Sequence, residues 1–148
     1  MTGTSGQGAT SVLALTARAA GDLCTVTLTN MGRAPVVVAG RLAIGYRDST
    51  DREIYAVLSD PSSGREVGTA AQLYHRAPHP AGQLRTLAPD ESISTTVRVA
   101  DWYNHPAGEL DLRVVYDPAA VASRFPRVAD AVVVSEPIRV DLPMAGWT

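Results

Sequence analysis

Lysine is absent from this chain of 148 residues, cysteine occurs once, at Cys24, and aromatic residues make up only 5% of it. A single cysteine excludes a disulfide bond within the chain. All thirteen basic residues are arginine, and the formal net charge is −2. Without a basic field and with few aromatic side chains, the chain lacks the surface that binds nucleic acid or anionic lipid. We therefore expect neither nucleic acid nor a membrane as its partner.

Long apolar runs are also absent, because no stretch approaches the roughly 20 residues that a membrane-spanning helix needs. The polar N-terminus, MTGTSGQGATS, has neither the basic nor the apolar segment of a signal peptide. This predicts a cytoplasmic location, with a trimmed secreted form as the alternative. Residues 1–10 and 143–148 are predicted to be tails, the first of them disordered, around a single domain over 11–142.

The most regular pattern in the chain is a two-residue alternation of apolar and polar side chains, which is typical of half-buried antiparallel strands. It occurs in Leu23–Asn30, and twice within 87–116, on either side of a polar loop. Apolar runs bounded by turn residues predict further strands at 11–18, 36–38, 42–46, 54–58, 73–74, 84–87 and 132–142. Turn signals at intervals of about ten residues then predict an all-β fold, an antiparallel β-sandwich of about seven to nine strands.

Three local signals refine this prediction. Residues 54–58 are apolar on both faces, which indicates a strand at the centre of a sheet. Asp117 followed by Pro118 is a helix-start signal, so a short helix is predicted near 118–125, with Pro126 ending it. Pro137 lacks an amide donor and indicates a bulge or an edge position within the last strand.

Several short strings resemble those of bacterial immunoglobulin-like or macroglobulin-like β-sandwich domains. They lie at 23–30, 55–64, 87–92, 108–116 and 134–142. Similar strings occur in non-catalytic domains beside secreted peptidases and in small proteinase-inhibitor-like sandwiches, so the resemblance implies a binding role. Leu110 stands where many such domains carry a corner tyrosine, and Leu112 where an antibody-type domain has its second cysteine. An antibody-type domain is therefore not expected.

The loop over 100–108 concentrates the side chains that are suited to recognition. Trp and Tyr anchor many protein interfaces because they combine a large apolar surface with a polar tip. Loops at the end of a sandwich also carry function more often than strands do. The alternative is a structural role, in which Trp102 closes the end of the sandwich. The candidate binding residues here are Asp101, Trp102, Tyr103, Asn104 and His105.

The chain has three histidines, His75, His79 and His105. If the chain reverses direction at each turn, the loops at 47–51, 77–82 and 100–108 meet at one end of the sandwich, which adds His79 to the candidate binding residues. No metal or cofactor is expected; the alternative is a metal site built from the three histidines. The chain contains no GxSxG, P-loop, GxGxxG or HExxH motif, so no catalytic residue is expected.

These observations favour a non-catalytic module that binds a protein partner of unknown identity through its end loops or through an exposed sheet edge. The valine-rich stretches at 36–38 and 132–134 are candidate edges, and pairing of two such edges would produce a homo-oligomer. The alternative is a small proteinase inhibitor that inserts one of these loops into an active-site cleft. A third hypothesis is an enzyme or metal protein that uses His79 and His105.

Overall fold

Strands make up 46% of the computed structural model, which describes residues 12–143 and contains one short helix. The predicted tail over 1–10 and nearly all of the one over 143–148 lie outside the described residues. The strands are β1 (Leu13–Ala20), β2 (Leu23–Asn30), β3 (Val36–Ala39), β4 (Ile44–Gly45), β5 (Ile54–Ser59), β6 (Thr69–Ala70), β7 (Leu84–Leu87), β8 (Ser92–Arg98), β9 (Tyr103–Asn104), β10 (Gly108–Tyr116), β11 (Val133–Val134) and β12 (Ile138–Leu142), and the helix is α1 (Ala119–Arg124).

Two sheets carry most of these strands and give an all-β, sandwich-like fold, as predicted. The first sheet has the order β1–β2–β8, and the second has the order β11–β10–β5–β4, with β12 also paired to β10. Strands β1 and β10, one from each sheet, approach each other across the interior. Two small pairs, β3–β7 and β6–β9, complete the fold. Every pair is antiparallel except β4–β5, which is parallel.

The alternating patterns form the core, because each strand turns its apolar set toward the facing sheet. In β2 the buried apolar side chains are Cys24, Val26 and Leu28, while the alternating threonines are half-buried. Their hydroxyls bond to the neighbouring strand β8, for example between Thr25 and Thr96 at 3.2 Å. Strand β5 lies between β10 and β4 and contributes side chains on both faces, which confirms its predicted central position.

The two regular strands within 87–116 belong to different sheets. Strand β8 pairs with β2, whereas β10 pairs with β5 and β12. Residues 99–107 therefore cross from one sheet to the other. They contain a 3-10 turn at Val99–Asp101 and the short strand β9. This crossing places the loop that carries the predicted recognition residues against the end of the sandwich.

Of the predicted strands, one is wrong and two differ in extent. Residues 73–74 form no strand, and Leu73 is 94% exposed; β6, slightly earlier in the chain, takes the place beside β9. The predicted strand over 42–46 shortens to β4, because Leu42 adopts a positive φ of 52° that interrupts extended structure. The last predicted strand divides into β11 and β12 at Ser135, whose hydroxyl accepts a hydrogen bond from Val114 N at 2.8 Å.

Helix α1 begins one residue later than predicted. Pro118 occupies the N-cap position, and the carboxylate of Asp117 accepts a hydrogen bond from Ala119 N at 3.2 Å, so the aspartate still supports the first turn. Within residues 12–143, no helix has the length and the apolar character needed to cross a membrane.

Candidate functional site

Four aromatic side chains from three segments of the chain meet at one end of the sandwich. Their ring centroids lie 5.2 to 5.7 Å apart in each contacting pair, and the rings are steeply inclined to one another, at 66° to 83°. Edge-to-face contacts of this kind stabilise by about 0.5–1.5 kcal/mol each beyond the area they bury. We refer to this group as the aromatic cluster: Tyr46, Tyr74, Trp102 and Tyr103.

Tyr103 is the buried member of the cluster, with only 5% of its surface exposed. Its hydroxyl donates to Gly45 O at 2.6 Å and accepts from Ala56 N at 2.9 Å, and burial raises its pKa. This side chain therefore joins β4 and β5 to the crossing loop rather than facing a partner. Trp102 is half-buried beside it. The alternative predicted from the sequence gave the closing role to Trp102, whereas the structure buries its neighbour Tyr103 more deeply.

Arg76 packs its guanidinium group against two rings of the cluster. Its central carbon lies 4.9 Å from the Tyr74 centroid and 5.2 Å from the Trp102 centroid, which are cation–π distances. The Tyr74 hydroxyl donates to the carboxylate of Asp51 at 2.6 Å, and Arg76 N donates to the same carboxylate at 3.2 Å. Asp51 therefore fixes both the ring and the arginine backbone.

The electrostatics of this contact follow from its geometry. Partial burial acts to raise the pKa of Asp51, but the hydrogen bond from Tyr74 and those from backbone amides, with the charge of Arg76, outweigh it and lower the pKa. Burial and the same hydrogen bond raise the pKa of Tyr74. At neutral pH the pair is therefore a neutral phenol donating to a carboxylate.

A buried ion pair, Arg41–Glu53, is connected to the cluster through Asp51. Glu53 is fully buried and accepts two hydrogen bonds from the Arg41 guanidinium, at 2.9 and 2.7 Å, and a third from Ala43 N at 2.9 Å. Arg41 also donates to Asp51 O at 3.1 Å and to Ala77 O at 2.8 Å. One arginine therefore connects the two loops that supply Asp51 and Arg76.

His79 is buried rather than presented at the surface. Its Nε2 accepts from Arg41 N at 3.2 Å, and its carbonyl accepts from Arg124 at 2.9 Å. Burial lowers the pKa of this imidazole, and the nearby carboxylate of Glu53 only partly opposes that effect. Within residues 12–143, Nδ1 of His79 has no hydrogen-bond partner. His79 therefore stabilises the loops around the site through these hydrogen bonds.

The remaining predicted residues are spread around the crossing loop. Asp101 is exposed, with its carboxylate 3.8 Å from Arg98, and the Asn104 amide donates to Ala70 O at 3.3 Å. His105 is half-buried and contacts the carbonyl of Pro106, while His75 is exposed. No group of three histidine, cysteine or carboxylate side chains suited to a metal ion occurs between residues 12 and 143, so the structure does not assemble the three-histidine site.

The sequence predicted that the loops at 47–51, 77–82 and 100–108 meet at one end of the sandwich. In agreement, Arg41 donates hydrogen bonds to both Asp51 O and Ala77 O, and Arg76 packs against Trp102. The cluster itself was not predicted, because Tyr46 and Tyr74 lie in segments that were assigned to strands. The one available signal was Gly45. A Cβ atom there would collide with the Tyr74 hydroxyl and lie 2.7 Å from Arg52 Cβ, so the close approach requires glycine.

A narrow groove of about 200 Å³ runs beside the cluster. Tyr46, Tyr103 and Ala56 line it, and the exposed ion pair between Arg47 and Glu66, at 3.2 Å, lies on its rim. Sites for small ligands are commonly about 300–1,000 Å³, so this groove is sized for a single side chain of a partner. Cys24 carries the only thiol of the sequence and is buried. Burial raises the pKa of this thiol, which disfavours the nucleophilic thiolate form.

Comparisons with known proteins add no family to this description. No family model matches the chain, and no similar sequence is found among the curated proteins. What the fold and the site define is a class, an all-β, sandwich-like protein with an arginine-bearing aromatic cluster at one end.

Proposed function

We propose that this chain is a non-catalytic module that binds a protein partner through the aromatic cluster and the exposed residue beside it, Leu73. The observation that carries the proposal is the position of Arg76 over both the Tyr74 and the Trp102 rings, at 4.9 and 5.2 Å from their centroids. Tryptophan, tyrosine and arginine are the residues that dominate binding energy at protein interfaces.

Preorganisation supports this proposal. Trp102 and Tyr74 are half-buried, so a partner would cover them at little cost in side-chain entropy. Leu73, in contrast, is 94% exposed although it is apolar, and it lies next to Tyr74 in the chain. A rigid aromatic base with a protruding aliphatic side chain fits a protein surface that offers an apolar pocket.

The test is site-specific photocrosslinking in the native host. A photoreactive amino acid replaces Leu73 in one variant and Thr16, on the far edge of the first sheet, in a control variant. We expect a specific adduct from position 73 that Trp102→Ala reduces, since loss of one anchor residue typically weakens binding by about thirtyfold, which corresponds to about 2 kcal/mol. Equal adducts from both positions, or an adduct unaffected by Trp102→Ala, would contradict the proposal.

A second candidate function is inhibition of a peptidase, with Leu73 as the side chain that enters the active-site cleft. The supporting observation is that Leu73 projects from a segment held on both sides. Ala71 N donates to Trp102 O at 3.1 Å before it, and Arg76 N bonds to Asp51 after it. A protruding residue between two fixed points resembles the reactive loop of a rigid inhibitor.

The inhibitor hypothesis is tested with a panel of purified peptidases that cleave after leucine or aromatic residues. We expect inhibition at micromolar concentration by the wild-type protein and its loss in Leu73→Asp, with Gln72→Ala as the neighbouring control. Absence of inhibition by the wild-type protein across the panel would remove this candidate and leave the first proposal standing.

A further inference from the structure

The sandwich has several sheet edges, and most of them are protected. Strand β12 carries Arg139 and Asp141 and is flanked by two prolines, features that discourage pairing with another chain. Strand β3 pairs with β7 on one side and bridges to Val128 on the other, so the predicted edge at 36–38 is largely covered. The predicted edge at 132–134 contains only the two-residue strand β11, already paired to β10. Strand β1 is the other outer strand of the first sheet, but it carries Arg18 and approaches β10, β11 and β12 of the second sheet.

Strand β8 has none of these protections. It is the outermost strand of the first sheet and pairs with β2 alone among residues 12–143. Its seven residues, SISTTVR, contain no proline and no charge before Arg98. Ile93 and Val97 face the interior, yet both are only half-buried. A long edge whose only charged residue is the last one, Arg98, and whose apolar side chains are incompletely covered is a template for an additional strand.

We propose that the strand added at this edge is β8 of a second copy of this chain. The sequence is self-complementary about Thr95. In an antiparallel pair centred there, Ile93 lies opposite Val97 of the second copy, and Ser94 lies opposite its Thr96. Directly opposite residues share one face of a sheet, so the pairing places apolar beside apolar and hydroxyl beside hydroxyl.

The existing register of the first sheet extends naturally into this dimer. Leu28 already lies opposite Ile93, and Cys24 lies opposite Val97, so the inward row would continue across both copies. Charge is complementary at the ends. Arg98 of one copy would lie alongside residues 90–92 of the other, where Asp90 and Glu91 are acidic. The result is one continuous six-stranded sheet with a two-fold axis at Thr95.

The first experiment measures the molecular mass of the purified full chain by sedimentation across concentration. We expect a dimer that dissociates on dilution. Ser94→Lys combined with Thr96→Lys would place lysines opposite each other twice and raise the dissociation constant by about tenfold or more. Ser94→Glu combined with Thr96→Lys would place opposite charges there and restore dimerisation. Thr16→Lys, on the other edge of the same sheet, is the matched control and should leave the dimer unchanged.

The second experiment tests the register. Thr95 would face itself across the axis with its Cα atoms about 4.5–5.5 Å apart, a separation that a disulfide spans. Thr95→Cys should therefore oxidise to a covalent dimer, whereas Ser94→Cys, which faces Thr96 of the other copy, should crosslink poorly. A monomer at all concentrations, or a dimer that the double lysine variant does not weaken, would overturn the proposal.

Discussion

Removal of the Glu53 side chain is the perturbation that tests most directly how the site is supported. Glu53 is fully buried and accepts three hydrogen bonds, two from Arg41 and one from Ala43 N. Glu53→Ala would leave Arg41, whose side chain is only 14% exposed, without its counter-charge. Breaking one side of a buried pair costs about 3–5 kcal/mol of unfolding free energy. That is a large share of the roughly 5–15 kcal/mol that stabilises a typical domain.

The assay is urea denaturation at neutral pH, with the midpoint and the slope compared between variants. The chain provides a matched control in Arg47–Glu66, an exposed pair whose side chains are 52% and 47% accessible. Glu66→Ala should cost no more than about 1 kcal/mol. Arg41→Ala and the double variant with Glu53→Ala complete a cycle that isolates the interaction between the two residues.

One result would refute this reasoning. If Glu53→Ala and Glu66→Ala destabilise the protein equally, then burial does not set the strength of the pair. The loss of unfolding free energy caused by Glu53→Ala should be smaller when Arg41 is already replaced by alanine. An equal loss in both backgrounds would show that the carboxylate acts through Ala43 N alone. Because Arg41 also bonds to Asp51 O and Ala77 O, we further expect both single variants to disturb the near-UV signal of the aromatic cluster.

Three further predictions concern the same end of the sandwich. Gly45→Ala should destabilise the protein and disturb the aromatic cluster, because its Cβ would collide with the Tyr74 hydroxyl; Gly82→Ala, with no atom within 4 Å of the added Cβ, is the control in the same denaturation series. Tyr103→Phe should cost about 1–3 kcal/mol, measured in the same way, since Ala56 N loses its buried acceptor. Because the fold lowers the pKa of His79, this residue binds a proton more readily in the unfolded chain. The unfolding free energy should therefore fall as the pH drops below about 6.5, by at most about 1.4 kcal/mol per pH unit. His79→Gln should reduce this dependence on pH.

The local structure of this protein is largely determined by its sequence. The alternation in β2 and β10 predicted half-buried strands, because successive side chains of a strand point to opposite faces and the apolar ones share a single face. The two-sided apolar pattern of β5 likewise predicted a central strand, and the aspartate and proline before α1 predicted a helix start within one residue. All three signals act over a few positions, so no knowledge of distant segments was needed.

Only the tertiary structure decided which strands are neighbours and where the aromatic side chains meet. Strands β8 and β10, separated only by the short crossing segment over 99–107 and similar in pattern, lie in different sheets because they pair with different partners. Tyr46, Tyr74 and Trp102 come together only after that crossing. The ion pair between Arg41 and Glu53 is likewise invisible in sequence, since a charged loop residue usually faces water. Local patterns fix the faces of strands, whereas sheet order and buried charge pairs depend on contacts between residues distant in sequence.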